Sequence, residues 1–191
     1  EAQNSLGYCY ASGNGVPEDK KEALRWYQAA AAQGNVDACF NLGVHHARGE
    51  GGIKRNNRLA MQYYLQAAKK KHTGAWNNLG GMHWRGDGVP KDRAKAVRWW
   101  LKAAQCGEPD ACINVGASYG EGTGVRRNMP KARMWLLKAL RLGESDAFRR
   151  LARLVLQFPG RWASASDAYL WLYAARQIGA SFVRPKHLKV Y

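Results

Sequence analysis

Leu79-Gly80-Gly81-Met82-His83-Trp84-Arg85-Gly86-Asp87-Gly88-Val89, followed by Asp92-Arg93-Ala94-Lys95-Ala96-Val97-Arg98-Trp99-Trp100-Leu101-Lys102-Ala103-Ala104, is one copy of a pattern that recurs along the chain every 36 residues, once stretched to 37 at Gly52. Its Leu-Gly pair and the residue three places on return as Leu6, Gly7, Tyr10, as Leu42, Gly43, His46 and as Val115, Gly116, Tyr119. Paired glycines follow at Gly13 and Gly15, Gly49 and Gly51, Gly86 and Gly88, Gly122 and Gly124, each with Val16, Ile53, Val89 or Val125 just beyond. Ala23, Ala60, Ala96, Ala132 and Ala168 align next, then Trp26, Tyr63, Trp99, Trp135 and Trp171, then Ala30, Ala67, Ala103, Ala139 and Ala175. A fixed period of this length is the signature of a repeat architecture, here with five units.

The first half of each unit places small or apolar residues at i, i+4, i+5 and i+8, as in Ala38, Leu42, Gly43 and His46, which is one stripe of an α-helix, helix A. The second half repeats Ala, aromatic and Ala at i, i+3 and i+7, a second stripe, helix B. Asp19, Asn56, Asp92 and Asn128 stand where helix B needs an N-cap. The Gly-x-Gly stretch ends helix A, and Gly34, Gly107, Gly143 and Gly179 end helix B. Gly7, Gly43, Gly80 and Gly116 fall inside helix A, where a glycine costs about 1 kcal/mol against alanine, so close approach of helix B is the expected compensation. A single hairpin cannot cover its own aromatic stripe. Stacking hairpins in line lets each bury that stripe on the next.

Leu-Gly-x-x-Tyr, Gly-x-Gly-Val, Asp-x-x-x-Ala and Trp-Tyr-x-x-Ala-Ala together resemble the Sel1-like repeat family, relatives of tetratricopeptide repeats. The resemblance implies an all-α fold, a right-handed α-solenoid of five stacked helical hairpins with units 1–34, 35–71, 72–107, 108–143 and 144–179 and a C-terminal tail at 180–191. The fifth unit departs from the pattern, with Leu151-Ala152 for Leu-Gly, Val155 for the helix A aromatic and Gln157-Phe158-Pro159-Gly160-Arg161 for the glycine loop. Arg149, Arg150 and Arg153 give it the polar outer face of a terminal cap. The tail is expected to be irregular or a docking segment.

The chain has 191 residues, 46% of them hydrophobic, and no apolar run near the ~18 residues that suggest a membrane helix. Glu1 is not an initiator Met and opens no basic-then-apolar leader, which reads as a processed product or an excised segment. Thirty Lys and Arg stand against 14 Asp and Glu, a formal net charge of +16, so nucleic acid, an anionic membrane or an acidic protein surface all come into consideration. The surplus is uneven: residues 1–34 hold three Lys or Arg and four Asp or Glu, and the remainder 27 and ten. Lys95, Arg98 and Lys102 space as one solvated helix face, and the core register absorbs most tryptophans, which weighs against a nucleic-acid surface of interleaved cations and exposed aromatics.

His46 and His83 occupy the slot of Tyr10 and Tyr119, so hydrogen-bonded packing is expected of them rather than metal ligation, since register-equivalent residues lie a repeat apart. Cys39 and Cys112 share a hydrophobic slot with Trp76 and Phe148, while Cys106 ends one helix B just before Cys112, which leaves a bridge across that turn open. Exported members of the family carry disulfides between adjacent helices, but their Cys spacing differs. No Ser-x-x-Lys element, His-Glu-x-x-His helix or phosphate-binding Gly-x-x-x-x-Gly-Lys loop occurs, so a catalytic role and a cofactor are not expected, although relatives with hydrolase-like activity keep that alternative open.

The resemblance therefore implies a monomeric, mainly bacterial class of protein-interaction module: an adaptor, scaffold or regulator that takes a protein or peptide, here an acidic one, in a concave groove. An immunity-type inhibitor of a partner enzyme and a nucleic-acid-binding basic solenoid are the alternatives. In tetratricopeptide relatives the groove is lined by helix A positions beside the Leu-Gly pair, and the register carries these to Asn4, Tyr8, Phe40, Val44, Arg48, Asn77, Trp84, Arg85, Ile113 and Arg149. Arg48 and Arg85 would form a cationic ladder for a carboxylate, or else only cap the C-terminal end of helix A.

Overall fold

The computed structural model describes residues 1–157 and is wholly helical over that span. It divides into two compact units, Glu1–Cys106 and Gly107–Tyr191, taken separately below. The expected fifth helix B with Ala168, Trp171 and Ala175, its loop from Phe158 on, Gly179 and the tail lie outside the described residues.

Unit one holds three hairpins: α1 (Ala2–Ser12) with α2 (Lys20–Ala32), α3 (Val36–Arg48) with α4 (Asn57–Lys69), and α5 (Thr73–Arg85) with α6 (Arg93–Gln105). The odd helices are helix A and the even ones helix B. Within this unit α2 also packs on α3, and α4 on α5, so that each hairpin rests on the next. Ala23, Leu24, Tyr27 and Ala30 of α2 bury themselves with Ala38 and Leu42 of α3, and Tyr63 of α4 packs on that group. Cys39, Ala60, Tyr64, Ala67, Ala75, Leu79 and Met82 form the next layer, with Trp99 of α6 against it. The aromatic stripes of α4 and α6 thus lie on the preceding hairpin, as a solenoid requires.

Unit two contains α7 (Pro109–Glu121), α8 (Met129–Arg141) and α9 (Asp146–Gln157). Its core draws on Ala111, Cys112, Val115, Ala132, Leu136, Ala139, Ala147 and Leu151. Arg149, Arg150 and Arg153 of α9 are exposed. All four cysteines are free thiols, Cys106 exposed and Cys112 buried.

One contact recurs inside every hairpin. A Cβ added to Gly7 would lie 2.8 Å from the Tyr27 ring, one on Gly43 2.5 Å from Tyr64, one on Gly80 2.4 Å from Trp100 and one on Gly116 2.7 Å from Leu136. These four partners share one register position of helix B, so the bare backbone of helix A is the seat on which helix B rests. The rings and the leucine are at most 5% exposed. Burying such side chains is worth roughly 1.5–3 kcal/mol each, more than the ~1 kcal/mol that the helical glycine costs.

Helix B begins where the caps are expected. Asp19, Asn56, Asp92 and Asn128 each accept a backbone N–H of the first helical turn through the side chain. The N–H of each cap residue donates in turn to the carbonyl of Tyr10, His46, His83 or Tyr119, at 2.9, 2.8, 2.9 and 2.9 Å. That bond ties the start of helix B to the last turns of helix A in the four repeats whose helix B is described. In this slot the backbone carbonyl accepts the recurrent hydrogen bond, while the His83 ring Nδ1 is buried with no partner, as is that of His45. The rings pack instead, His46 flat on Tyr63 with centroids 5.4 Å apart and His45 tilted against Tyr27 at 5.5 Å.

Helix B ends by a left-handed residue at one register position, filled by Gly34, Gly107 and Gly143 but by Lys71 in the second repeat, at φ 65°. Its Cβ makes that conformation costly by about 1–2 kcal/mol. The motif forms there all the same, the N–H groups of Lys71 and His72 donating to the Ala68 and Ala67 carbonyls at 3.0 and 3.2 Å.

Three outcomes follow for stability, each read by thermal or urea unfolding. The adjacent glycines should respond with opposite sign. Gly80→Ala drives a methyl into the Trp100 indole and should destabilise by about 1–3 kcal/mol despite its better helix propensity. Gly81→Ala meets only the tip of the Arg85 side chain at 3.1 Å and should be neutral or stabilising by up to about 1 kcal/mol; equal losses at both positions would refute the packing argument. Lys71→Gly should stabilise by about 0.5–1 kcal/mol, and a loss would show that the strain there is already relieved. Burial holds the imidazoles of His45, His46 and His83 below their ordinary 6.5; at His45 Glu50 opposes this while Lys20 and Arg48 add to it, and at His83 Lys95 adds and Asp92 opposes. The unfolded chain therefore takes up protons first, so stability present above about pH 6.5 is lost as pH falls through and below that value. The melting temperature should drop between pH 7 and 5, and less so in His46→Tyr, which installs the residue of Tyr10 and Tyr119. An unchanged pH profile in that variant would exclude His46 from the effect.

Candidate functional site

In unit one Phe40 and Val44 of α3 pack with a buried phenol, Tyr64. Tyr64 of α4 crosses the gap left by Gly43, its ring 3% exposed, and its side chain is hydrogen-bonded to Asn78 of α5. Burial pushes this phenol up to about 12, even though the Asn78 bond and the charges of Arg48 and Arg85 pull it down. The charges of both arginines thus act on one hydroxyl.

Arg48 and Arg85 occupy the last turns of α3 and α5, with side chains 67% and 62% exposed. The Arg85 guanidinium folds back over Gly81, where a Cβ would sit 3.1 Å from its Nη1. Each arginine meets the carboxylate two residues on, Arg48 reaching Glu50 at 3.8 Å and Arg85 Nε donating to Asp87 Oδ2 at 2.6 Å. Those carboxylates are shared: Glu50 also pairs with Lys20 at 3.7 Å and Asp87 with Arg55 at 3.7 Å, residues of the preceding hairpin in both cases. Exposed pairs like these contribute little to stability, commonly 0–1 kcal/mol each, but they hold the arginine stems in place. Lys20 pairs with Glu18 as well, at 3.6 Å, so the first cluster is balanced, whereas Arg55, Arg85 and Asp87 leave one positive charge over.

The apolar part of this face is half-buried. Phe40 stacks on His72 with ring centroids 4.4 Å apart and lies 5.9 Å from Tyr64, and Val44 packs on the same layer. His72 is itself fixed, Nδ1 accepting the Ala75 N–H at 3.1 Å and Nε2 lying 3.4 Å from Asp37. At the α1 end Asn4 accepts from Asn41 at 3.2 Å, and Tyr8 is 59% exposed. Asn77 gives its backbone carbonyl to the Trp100 indole N–H at 3.1 Å.

Trp84 does not join this group, and two further selected residues belong to unit two. Trp84 is committed to α6, 5.2 Å from the Trp100 ring and covered by the Arg93 guanidinium at 4.3 Å. Its register position holds Ala11, Ala47 and Gly120 elsewhere, small residues that mark it as a packing slot. Ile113, in unit two, is 7% exposed and belongs to the core, so it cannot receive a partner side chain. Arg149 is exposed on α9 of unit two and paired with Asp146. The register missed Tyr64, Asn78 and the two loop carboxylates. The repeat of Glu50 at Asp87 was the available signal for the last of these.

Among the described residues no group of three or more His, Cys, Asp or Glu side chains is placed to hold a metal ion, and no helix is long and apolar enough to cross a membrane. Burial raises the thiols of Cys39 and Cys112, the opposite of what activates a nucleophile.

The Sel1 repeat profile matches residues 1–35, 36–72, 75–108 and 109–144. No match is found among curated proteins. Among solved structures, a Sel1 repeat protein from Oxalobacter formigenes is 29% identical, with a TM-score of 0.82 over 93% of this chain and 72% of that one. The protective antigen c5321 of uropathogenic Escherichia coli, which displays an SLR fold, is 26% identical with a TM-score of 0.63, and the aligned part covers 94% of this chain but 46% of the antigen. Cysteine-rich protein B of Helicobacter pylori is 28% identical with a TM-score of 0.54, over 71% of this chain and 97% of that one. Four matched repeats, a glycine-seated hairpin in each and a solenoid fold shared with these structures lead to one assignment: the chain belongs to the Sel1 repeat family, helical solenoids that generally serve as protein-interaction modules.

Proposed function

We propose that this chain binds an acidic, partly apolar peptide segment of a protein partner on the helix A face of unit one, with no catalysis of its own. The observation that carries the reading is the exposed pair Arg48 and Arg85, one repeat apart, whose charges both act on the Tyr64 phenol, in the unit that also holds the half-buried Phe40 and Val44. An incoming carboxylate can take over a guanidinium from Glu50 or Asp87, because each of these keeps a second cation, Lys20 or Arg55. A bidentate arginine contact fixes the orientation of the peptide, and an apolar side chain on Phe40 and Val44 supplies buried area. Tyr8 and Asn77 extend the face at either side.

A protein partner is favoured over nucleic acid by the state of the tryptophans. Arg93 covers Trp84 at 4.3 Å, and Lys102 lies over Trp99 at 4.7 Å and Lys138 over Trp135 at 5.2 Å. Single-stranded nucleic acid binds by stacking bases on such faces, and these are already occupied.

The test is fluorescence anisotropy with a labelled acidic, leucine-containing peptide selected on the wild-type chain from a random display library. Arg48→Glu with Arg85→Glu should weaken binding by at least about tenfold, or 1.4 kcal/mol, with unchanged helical circular dichroism. Lys95→Glu with Lys102→Glu, on the exposed side of α6, should change it by less than about threefold. If the α6 variant loses the peptide and the α3–α5 variant keeps it, the binding face has been assigned to the wrong side.

A further inference from the structure

An open cavity of about 550 Å³ lies in unit two between the end of α7 and the start of α8, lined by Tyr119, Val125, Arg126, Arg127, Asn128 and Lys131. Three of these six residues are cations and none is a carboxylate. We propose that this cavity binds a small phosphorylated anion, the phosphoryl group held by Arg126, Arg127 and Lys131 and the group that carries it resting against Val125.

The backbone around the cavity is fixed. The Asn128 N–H donates to the Tyr119 carbonyl at 2.9 Å, and its side chain accepts the Lys131 N–H at 3.0 Å. Gly122 lies against the next strand of the loop, where a Cβ would be 3.1 Å from that of Arg127. Lys131 Nζ stands 5.3 Å from the centroid of the Tyr119 ring, which directs its charge across one wall. Arg127 makes contacts of its own besides lining the cavity. The first turn of α8 is not what makes the site: its Lys131 N–H is taken by the Asn128 cap, and Pro130 has no N–H to offer. The attraction is that of side chains.

The same loop is chemically different in the other repeats. By register, Arg126, Arg127, Asn128 and Lys131 correspond to Pro17, Glu18, Asp19 and Glu22 in the first repeat, to Lys54, Arg55, Asn56 and Leu59 in the second and to Pro90, Lys91, Asp92 and Lys95 in the third. The fourth alone among these joins three cations to a neutral cap. Two guanidinium forks and an ammonium suit the several oxygens and double charge of a phosphoryl group better than a single carboxylate, because each fork can grip two oxygens at once. The volume falls within the range of small-molecule sites, so there is room beyond the phosphoryl group for what bears it.

The proposal is tested by recording amide NMR shifts of the full chain during titration with sodium pyrophosphate at constant ionic strength, with citrate as the carboxylate control. Pyrophosphate should shift the amides of residues 119–131 saturably and bind at least about tenfold more tightly than citrate. Arg126→Gln with Lys131→Gln should weaken pyrophosphate by at least about tenfold at an unchanged melting temperature, Arg126→Gln alone by less, and Lys95→Gln with Arg98→Gln on α6 should leave it as in the wild type. Equal affinity for citrate, wild-type affinity in the Arg126 and Lys131 double variant, or unsaturable shifts scattered over the basic surface would each overturn it.

Discussion

The close approach of helix B to a bare stretch of helix A is the constraint from which the rest of each repeat follows. At Gly7, Gly43, Gly80 and Gly116 a methyl group would penetrate the partner's ring or, at Leu136, its branched side chain, so the interhelical distance is set by the absence of a Cβ. With the helices this close, the loop between them has to be short, and the carbonyl of the residue three places beyond the glycine meets the N–H of the helix B cap in all four hairpins. That bond fixes where helix B starts. The cap then fixes which residues of helix B face inward, and within unit one those residues deliver Tyr63 and Trp99 onto the preceding hairpin. A helical glycine, unfavourable on propensity alone, is thus the residue that orders its neighbours.

Features with a period were legible in the sequence because each is dictated by local chemistry repeated at a fixed register. The helix B caps, the glycine seats and the left-handed termini at Gly34, Gly107 and Gly143 draw on a narrow choice of residues at a fixed place, and the spacing exposes them. What escaped depends on how long side chains lie in three dimensions. Trp84 looked like a groove residue from its neighbours in the sequence, yet its slot is filled by Ala11, Ala47 and Gly120 in the other repeats, and the ring turns onto Trp100 and Arg93. Ile113 shares its register position with Asn4, Phe40 and Asn77 and is nonetheless buried, because an apolar side chain there gains more from the core than from water. Lys71 carries no sequence signal of a left-handed residue at all; the surrounding repeat imposes the conformation. Arg48 and Arg85 stand at helix termini, and each stays exposed while pairing with its loop carboxylate.

The division between what is fixed and what varies explains the charge of the chain. Seats, caps and the carbonyl bond are satisfied by apolar groups, by backbone, and by Asp or Asn alike, since either side chain can accept the first-turn N–H. None of these requirements specifies the sign of the residues around the cap. The loop can therefore carry Glu18, Asp19 and Glu22 in one repeat and Arg126, Arg127 and Lys131 in another on the same backbone plan. A net charge of +16 concentrated beyond residue 34 is then no consequence of folding, because it adds self-repulsion that the helices do not need. Part of it stands at the helix ends Arg48 and Arg85 in unit one, which are exposed, and around Tyr119 in unit two, where it lines an open cavity.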